Sequence, residues 1–373
     1  MSYPSHDPRV TDPVAPQRRS SLHLALEIDG AGAHPAAWRR PGAPDGGDVQ
    51  ALRRIAAAAE SAGFTFVTLD DALLPAPGDA PVRLDAVTRA AYLAPLTSTL
   101  GLAPLAHPAV TEPFHLASQL ASLDHASRGR AGWVVGSAAV PGADRALDRP
   151  VADGAALPGE TADVITVARD LWDSWEDDAV IRDIGTGRYI DRDRLHYVDF
   201  VSSAEAERAR FTVKGPLIVP RGPQGHPVVI ARAGRGADGL ADVLLISSLD
   251  EVAAARAGAD QVFLDLVVAL DGAGSTGRQR VSELNALTGS GTDAWFTGSA
   301  AALVELVGSL RGVVDGVRLL PAETAVDVPL LLRDVLPALR VSRTIAHPTV
   351  GATLRQTLGL PRPQNRFAAA AAR

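Results

Sequence analysis

The sequence predicts a single α/β domain folded as a (β/α)8 TIM barrel. Eight short apolar runs recur along the 373 residues. Segments of helical periodicity separate most of them, the pattern of parallel strands joined by crossovers. Eight strands also exceed what a doubly wound open sheet normally needs. The expected layout is a disordered tail over residues 1–20, one barrel domain over 21–366 and a flexible tail over 367–373. An insertion at 176–226 separates strands four and five.

The first strand is read from Leu22, Leu24, Leu26 and Ile28, which alternate with His23, Ala25 and Glu27. A loop rich in Gly and Pro follows. Asp48 is placed to cap a helix running to Ala62, with Leu52, Ile55, Ala56 and Ala59 as its apolar stripe and Gly63 as its stop. Phe64 to Leu69 is strand two and ends on Asp70 and Asp71. A helix over about Leu84 to Leu93 leads to strand three, Thr99 to Ala103, and Pro113 to Ser127 is the next helix. Ala131 to Val135 is strand four, and a helix near Glu160 to Trp175 precedes the insertion. There HYVDF and RFTVKG alternate in a way that suits a small hairpin.

Val228 to Ala231 is strand five, an apolar run fit to be covered on both faces. Only a very short helical turn fits between it and strand six, Asp242 to Ser247. A short helix, Asp250 to Ala257, leads to strand seven, Gln261 to Leu270. Helices follow at Arg278 to Leu287 and Ser299 to Leu310. Strand eight is Gly316 to Leu320, and Val328 to Leu339 is the last main helix.

Bulk properties exclude several classes. Formal charge is −7, against a general nucleic-acid or anionic-membrane surface. There is no cysteine, so disulfides, thiolate metal sites and cysteine nucleophiles are ruled out. No apolar run reaches the ~20 residues of a membrane span. No metal-spaced His, Asp and Glu cluster is visible, and the first residues lack a signal-peptide core, so a cytoplasmic protein is expected.

Candidate site residues fall at strand exits, where barrels carry their active sites. These are His34, the pair Asp70 and Asp71, His107, Ser137, and the turn Gly234, Arg235 and Gly236. Glycines let backbone N–H groups approach an anion, and arginine adds charge, so this turn suits a phosphate. It also reads as an ordinary turn with surface arginines. Each histidine can equally be a structural anchor. Asp70 and Asp71 are adjacent and point to opposite faces, which argues against a two-carboxylate hydrolase.

Four segments carry a resemblance: ASLDHASRGRAGW, LWDSWEDDA, FTVKGPLIVPRGPQGHPVV and TLRQTLGLPRPQNRF. Together they resemble the bacterial-luciferase-like flavin-dependent monooxygenases, in the branch of nitrilotriacetate and dibenzothiophene-sulfone monooxygenases. The likeness runs from about Ser21 to Phe367. It implies a two-component enzyme in which a separate flavin reductase supplies reduced FMN. O2 and a small organic substrate complete the reaction, and homo-oligomers are common. Carried over by position, Asp70 or Asp71 lies near the flavin ring, Ser137 supplies a polar contact, and Gly234, Arg235 and Gly236 hold the phosphate. His107 or His34 is the candidate to hydrogen-bond the substrate or activated oxygen. Specificity is expected from the loop after strand one and from the insertion.

The chain departs from the family pattern at Val134 and Val135, where a polar strand end is usual, and at Arg235, where serine is usual. These departures keep open a catalytically impaired paralogue. A deazaflavin-dependent oxidoreductase is a further alternative.

Overall fold

The computed structural model describes residues 21–28, 30–72, 74, 82–137, 139, 142–148, 150–152, 154–203, 210–288 and 296–371. The tail expected over 1–20 lies outside them. Beside a short additional strand, Phe296–Gly298, that pairs in parallel with Val268–Leu270, eight strands form the barrel expected. They are β1 (His23–Glu27), β2 (Phe66–Leu69), β3 (Gly101–Ala106), β4 (Gly132–Val135), β5 (Val228–Arg232), β6 (Val243–Ile246), β7 (Gln261–Leu270) and β8 (Gly316–Pro321). Each pairs in parallel with the next, and β8 returns to pair with β1, His23 opposite Gly316, so the barrel is closed.

The two-residue period of a strand decides which side chains go inside. Ala25, Phe66, Ala103, Val134, Ile230, Val243 and Phe263 fill the barrel interior. Their neighbours Leu24, Leu26, Val67, Val135, Val229 and Leu264 face outward into the helical layer. That second layer contains the helices Val49–Ala62, Ala86–Leu93, Pro113–Ala126 and Leu157–Asp173. Asp48 caps the first as expected, accepting from the N–H groups of Gln50 and Ala51, and Gly63 ends it at a φ of 89°. The last helix is not continuous. It runs Thr324–Leu330, widens to a π-turn over Leu331–Val335, and resumes at Leu336–Val341. Pro337 has no N–H to return to the preceding turn, which accounts for the widening.

The N-terminal end of the barrel is plugged from the far end of the chain. Leu354, Leu358 and Leu360 join the interior cluster. Arg355 beside them is buried and fixes the plug. It donates to both carboxylate oxygens of Asp242, at 3.0 and 2.8 Å, and to the carbonyl of His226 at 2.8 Å. The segment read as a loose tail begins as a helix, Arg366–Ala371, whose Phe367 stacks on His196 with ring centroids 4.6 Å apart. Residues 372 and 373 lie outside the described set.

The insertion is ordered around two antiparallel pairs. The expected hairpin forms between Asp199–Val201 and Thr212–Lys214, and a second joins Val180–Asp183 to Arg188–Ile190. It leaves the end of helix Leu157–Asp173 and returns to the start of β5, so it belongs to the face opposite the strand exits. None of the described residues of 176–226 lines the cavity at the exits. The expectation that this excursion sets specificity is therefore corrected: a helix-to-strand connection emerges at the wrong end of a barrel to do so.

Candidate active site

The strand exits enclose a cavity of about 630 Å³. That falls within the ~300–1,000 Å³ typical of small-molecule and cofactor sites. Leu105, Val134, Leu245, Val267 and Leu320 supply an apolar floor. The loop after β1 forms one wall and is tied down. The Ala33 N–H donates to the Pro321 carbonyl at 2.8 Å, and the Thr324 N–H to that of Ala31 at 2.8 Å. Gly32 makes this approach possible, since a Cβ there would stand 2.5 Å from the Ala322 carbonyl oxygen.

Of the eight residues singled out, His34, Asp70, Asp71, His107, Ser137 and Arg235 line this cavity, whereas Gly234 and Gly236 do not. Geometry separates their roles. His34 is buried, and both ring nitrogens are engaged. The Ala36 N–H donates to Nδ1 at 3.1 Å, so the ring proton is on Nε2, which donates to Asn285 Oδ1 at 3.0 Å. It anchors the loop. Asp71 is likewise committed to backbone, accepting from the Ala72 and Ala86 N–H groups, each at 2.7 Å. The Asp70 carboxylate lies 3.5 Å from Arg83 at the half-exposed rim.

His107 is different. β3 extends to Ala106, three residues past the expected end, which sets His107 directly at the exit. Its Nε2 donates to the Asp71 carbonyl at 3.4 Å, and its Nδ1 is buried without a protein partner. The ring lies over Gly136, where a Cβ would approach Nδ1 to 2.5 Å. Gly136 closes Nδ1 off from the cavity, so this unpaired nitrogen meets a ligand only if the ring turns. The Ser137 side chain is buried beside it.

Four residues outside the candidate set named from the sequence lie under and beside the floor. Arg318 on β8 is buried and makes a two-pronged contact with Asp265 on β7, at 2.8 and 2.6 Å. Glu27 on β1 stands 3.5 Å from the same guanidinium. Burial opposes the Arg318 charge, yet Asp265 and Glu27 hold its pKa above the ordinary arginine value. Arg232, at the end of β5, shares Asp265 from the other side at 3.0 Å and faces the cavity. Four alternating charges thus cross the barrel beneath the mouth.

The segments that carried the resemblance are mostly elsewhere. Asp173 of LWDSWEDDA accepts from Arg221 at 2.9 Å and His226 at 2.8 Å, all three buried. Asn365 donates to the carbonyls of Asp173 and Trp175. Asp124 accepts from Gln224 at 2.6 Å, and burial pushes its carboxyl up to about 6. These motifs stitch the insertion and C-terminal plug to the barrel; they do not build the mouth. Among the described residues there is no cluster of three His, Cys, Asp or Glu able to hold a metal, and no helix is long and apolar enough to cross a membrane.

A closed parallel barrel with an apolar floor and a charged rim at its exits has the arrangement of a small-molecule barrel enzyme. Comparison with known proteins gives the class its family. The family model for luciferase-like monooxygenases matches residues 31–261, and the chain belongs to that family. It is 34% identical over 230 residues to N-acetyl-S-(2-succino)cysteine monooxygenase of Bacillus subtilis (strain 168), covering 60% of this chain and 51% of that protein. It is 34% identical to nitrilotriacetate monooxygenase component A of Aminobacter aminovorans over 230 residues, 56% of this chain and 49% of that one. Dibenzothiophene-sulfone monooxygenase of Rhodococcus erythropolis is also similar, 31% identical over 159 residues, 41% of this chain and 33% of that one. The chain spans about half the length of the first two of these relatives. The fold is shared with a solved riboflavin lyase at a TM-score of 0.76 and 22% identity, covering 94% of this chain and 99% of that chain.

A flavin suits the residues present. The apolar floor can take a planar ring, and Arg235 at the rim has no ion-pair partner among the described residues.

Proposed function

We propose that this chain is the oxygenase of a two-component system, using reduced FMN from a separate flavin reductase to oxidise a small organic substrate with O2. The observation that carries the reading is the cavity itself: apolar below, cationic at one rim, at the strand exits of a luciferase-like barrel. Bound reduced flavin supplies the two electrons and two protons that split O2 between one oxygen atom on the substrate and one water. The chain's own residues bind, orient and exclude water. Leu105, Val134, Leu245, Val267 and Leu320 keep the ring environment dry. His107 lines the wall, and a turn of its ring away from the Asp71 carbonyl would bring a ring nitrogen to the ligand. Asp70 and Ser137 serve as polar contacts at the ring edge, and His34 and Asp71 hold the walls. The reading places residues 21–366 in one domain, in a cytoplasmic homo-oligomer beside its reductase.

The test is oxygen uptake by the purified chain with a flavin reductase, NADH and FMN, across a panel of sulfur- and nitrogen-containing substrates. Substrate-dependent product carrying label from 18O2 is expected. Product without label, or no product from any substrate in the panel, would remove the reading. A deazaflavin remains a second reading, because an F420-dependent secondary alcohol dehydrogenase shares the fold at a TM-score of 0.61 and 14% identity. Parallel titrations with reduced FMN and reduced F420 separate the two. Val134 and Val135 keep the impaired-paralogue alternative in play, and label in the product excludes it.

A further inference from the structure

The glycine turn after β5 was expected to seat a phosphate on its backbone. The Gly234 N–H is already used: both oxygens of the Asp238 carboxylate accept from it, at 3.1 and 3.0 Å. Gly236 is packed against the start of helix Leu157–Asp173, where a Cβ would lie 2.3 Å from the Pro158 carbonyl oxygen. Neither glycine lines the cavity, but the arginines on either side of Gly234 do.

Resting on the flavin reading above, we infer that the phosphate monoester end of the ligand is held by the side chains of Arg232 and Arg235, and not by the backbone of the turn. Arg232 is the anchor. Asp265 fixes one of its nitrogens at 3.0 Å, which orients the guanidinium at the cavity. Asp265 is shared with Arg318, which grips it in two prongs, and Glu27 stands beside Arg318. The two arginines and two carboxylates balance, so the added cation at the rim is Arg235, with Arg232 held in place beside it. The other carboxylates near the turn are committed. Asp238 is on Gly234, and Glu251 accepts from Ser247 and Ser248. Arg235 carries no ion pair among the described residues and completes a pair of guanidiniums whose planar forks match phosphate oxygens. Asp265 acts as a positioning residue for Arg232.

The experiment compares binding of FMN and riboflavin, which differ by the phosphate alone, to the wild-type chain and to Arg232→Gln, Arg235→Gln and Asp238→Asn. Wild type should bind FMN at least about tenfold more tightly than riboflavin, since each 1.4 kcal/mol is tenfold. Each arginine variant should lose about tenfold in FMN affinity with riboflavin affinity unchanged, and Asp238→Asn should keep the wild-type ratio. A shift in the ratio of more than about threefold in Asp238→Asn, with none in the arginine variants, would return the phosphate to the backbone and overturn the inference. Equal affinity of wild type for the two flavins would also overturn it. Inorganic phosphate provides an arm independent of flavin. Its protection of the wild type against thermal unfolding should be lost in Arg232→Gln. If neither flavin binds while phosphate still protects through Arg232, the flavin reading fails and the anion pair stands. If phosphate protects all four proteins alike, or none, the pair fails.

Discussion

Replacing Arg318 by methionine is expected to destabilise the fold by about 3–5 kcal/mol, the cost of removing one partner from a buried pair. Asp265 would keep its charge inside the barrel with only the 3.0 Å contact from Arg232, and Glu27 would lose its neighbour. Chemical denaturation of the two proteins reads the loss as a lower midpoint with an unchanged slope. The double replacement Arg318→Met with Asp265→Leu should recover much of it, because apolar groups of similar size can replace a buried pair at little net cost. A single variant as stable as wild type would show that the cluster is hydrated and contributes nothing to the barrel. The same single variant leaves Asp265 to Arg232 alone and neutralises that cation more fully, so discrimination between FMN and riboflavin should also fall.

The second large effect falls on chemistry. His107→Ala should lower turnover by about 10²-fold, the usual scale for a positioned side chain that hydrogen-bonds or moves a proton in the reaction. Flavin affinity should fall by less, since the apolar floor and the arginine rim are untouched. Gly136→Ala should reproduce part of the loss without deleting the imidazole, because the new methyl would push the ring from its place. Rapid-mixing measurement of product formation alongside a flavin titration separates the two quantities. Equal turnover in wild type and His107→Ala would make His107 a structural residue like His34.

The order and direction of the barrel strands were legible because an apolar run between a capped helix and a glycine or aspartate exit has few other readings. The exits located the mouth, so His107, Asp70 and Arg235 were legible as residues that line it. What periodicity does not contain is partnership. Nothing local to His34 says that Asn285, on a helix 251 residues away in sequence, takes its Nε2. Nothing in RAGRGADG says that Asp238 folds back on Gly234. One signal was present and unread. Arg318 in GVRLLP and Asp265 in FLDLVV are opposite charges inside apolar strands that a barrel makes neighbours. A charge on the inward side of a buried strand requires a partner, and the adjacent strand offered one. The insertion was misassigned for a topological reason: it follows a helix, and only segments that follow strands reach the mouth.

The central claim is that the cavity at the strand exits is the flavin site. It is tested most directly by anaerobic titration of reduced FMN into the wild-type chain and into Leu105→Trp, which fills the cavity from its floor. Leu105 is only partly buried and points into that space, so the larger ring displaces ligand and not core. Saturable binding to the wild type, weakened at least about tenfold in a Leu105→Trp protein that melts normally, is the predicted result. Equal binding by the two proteins, or none by the wild type, would contradict the assignment.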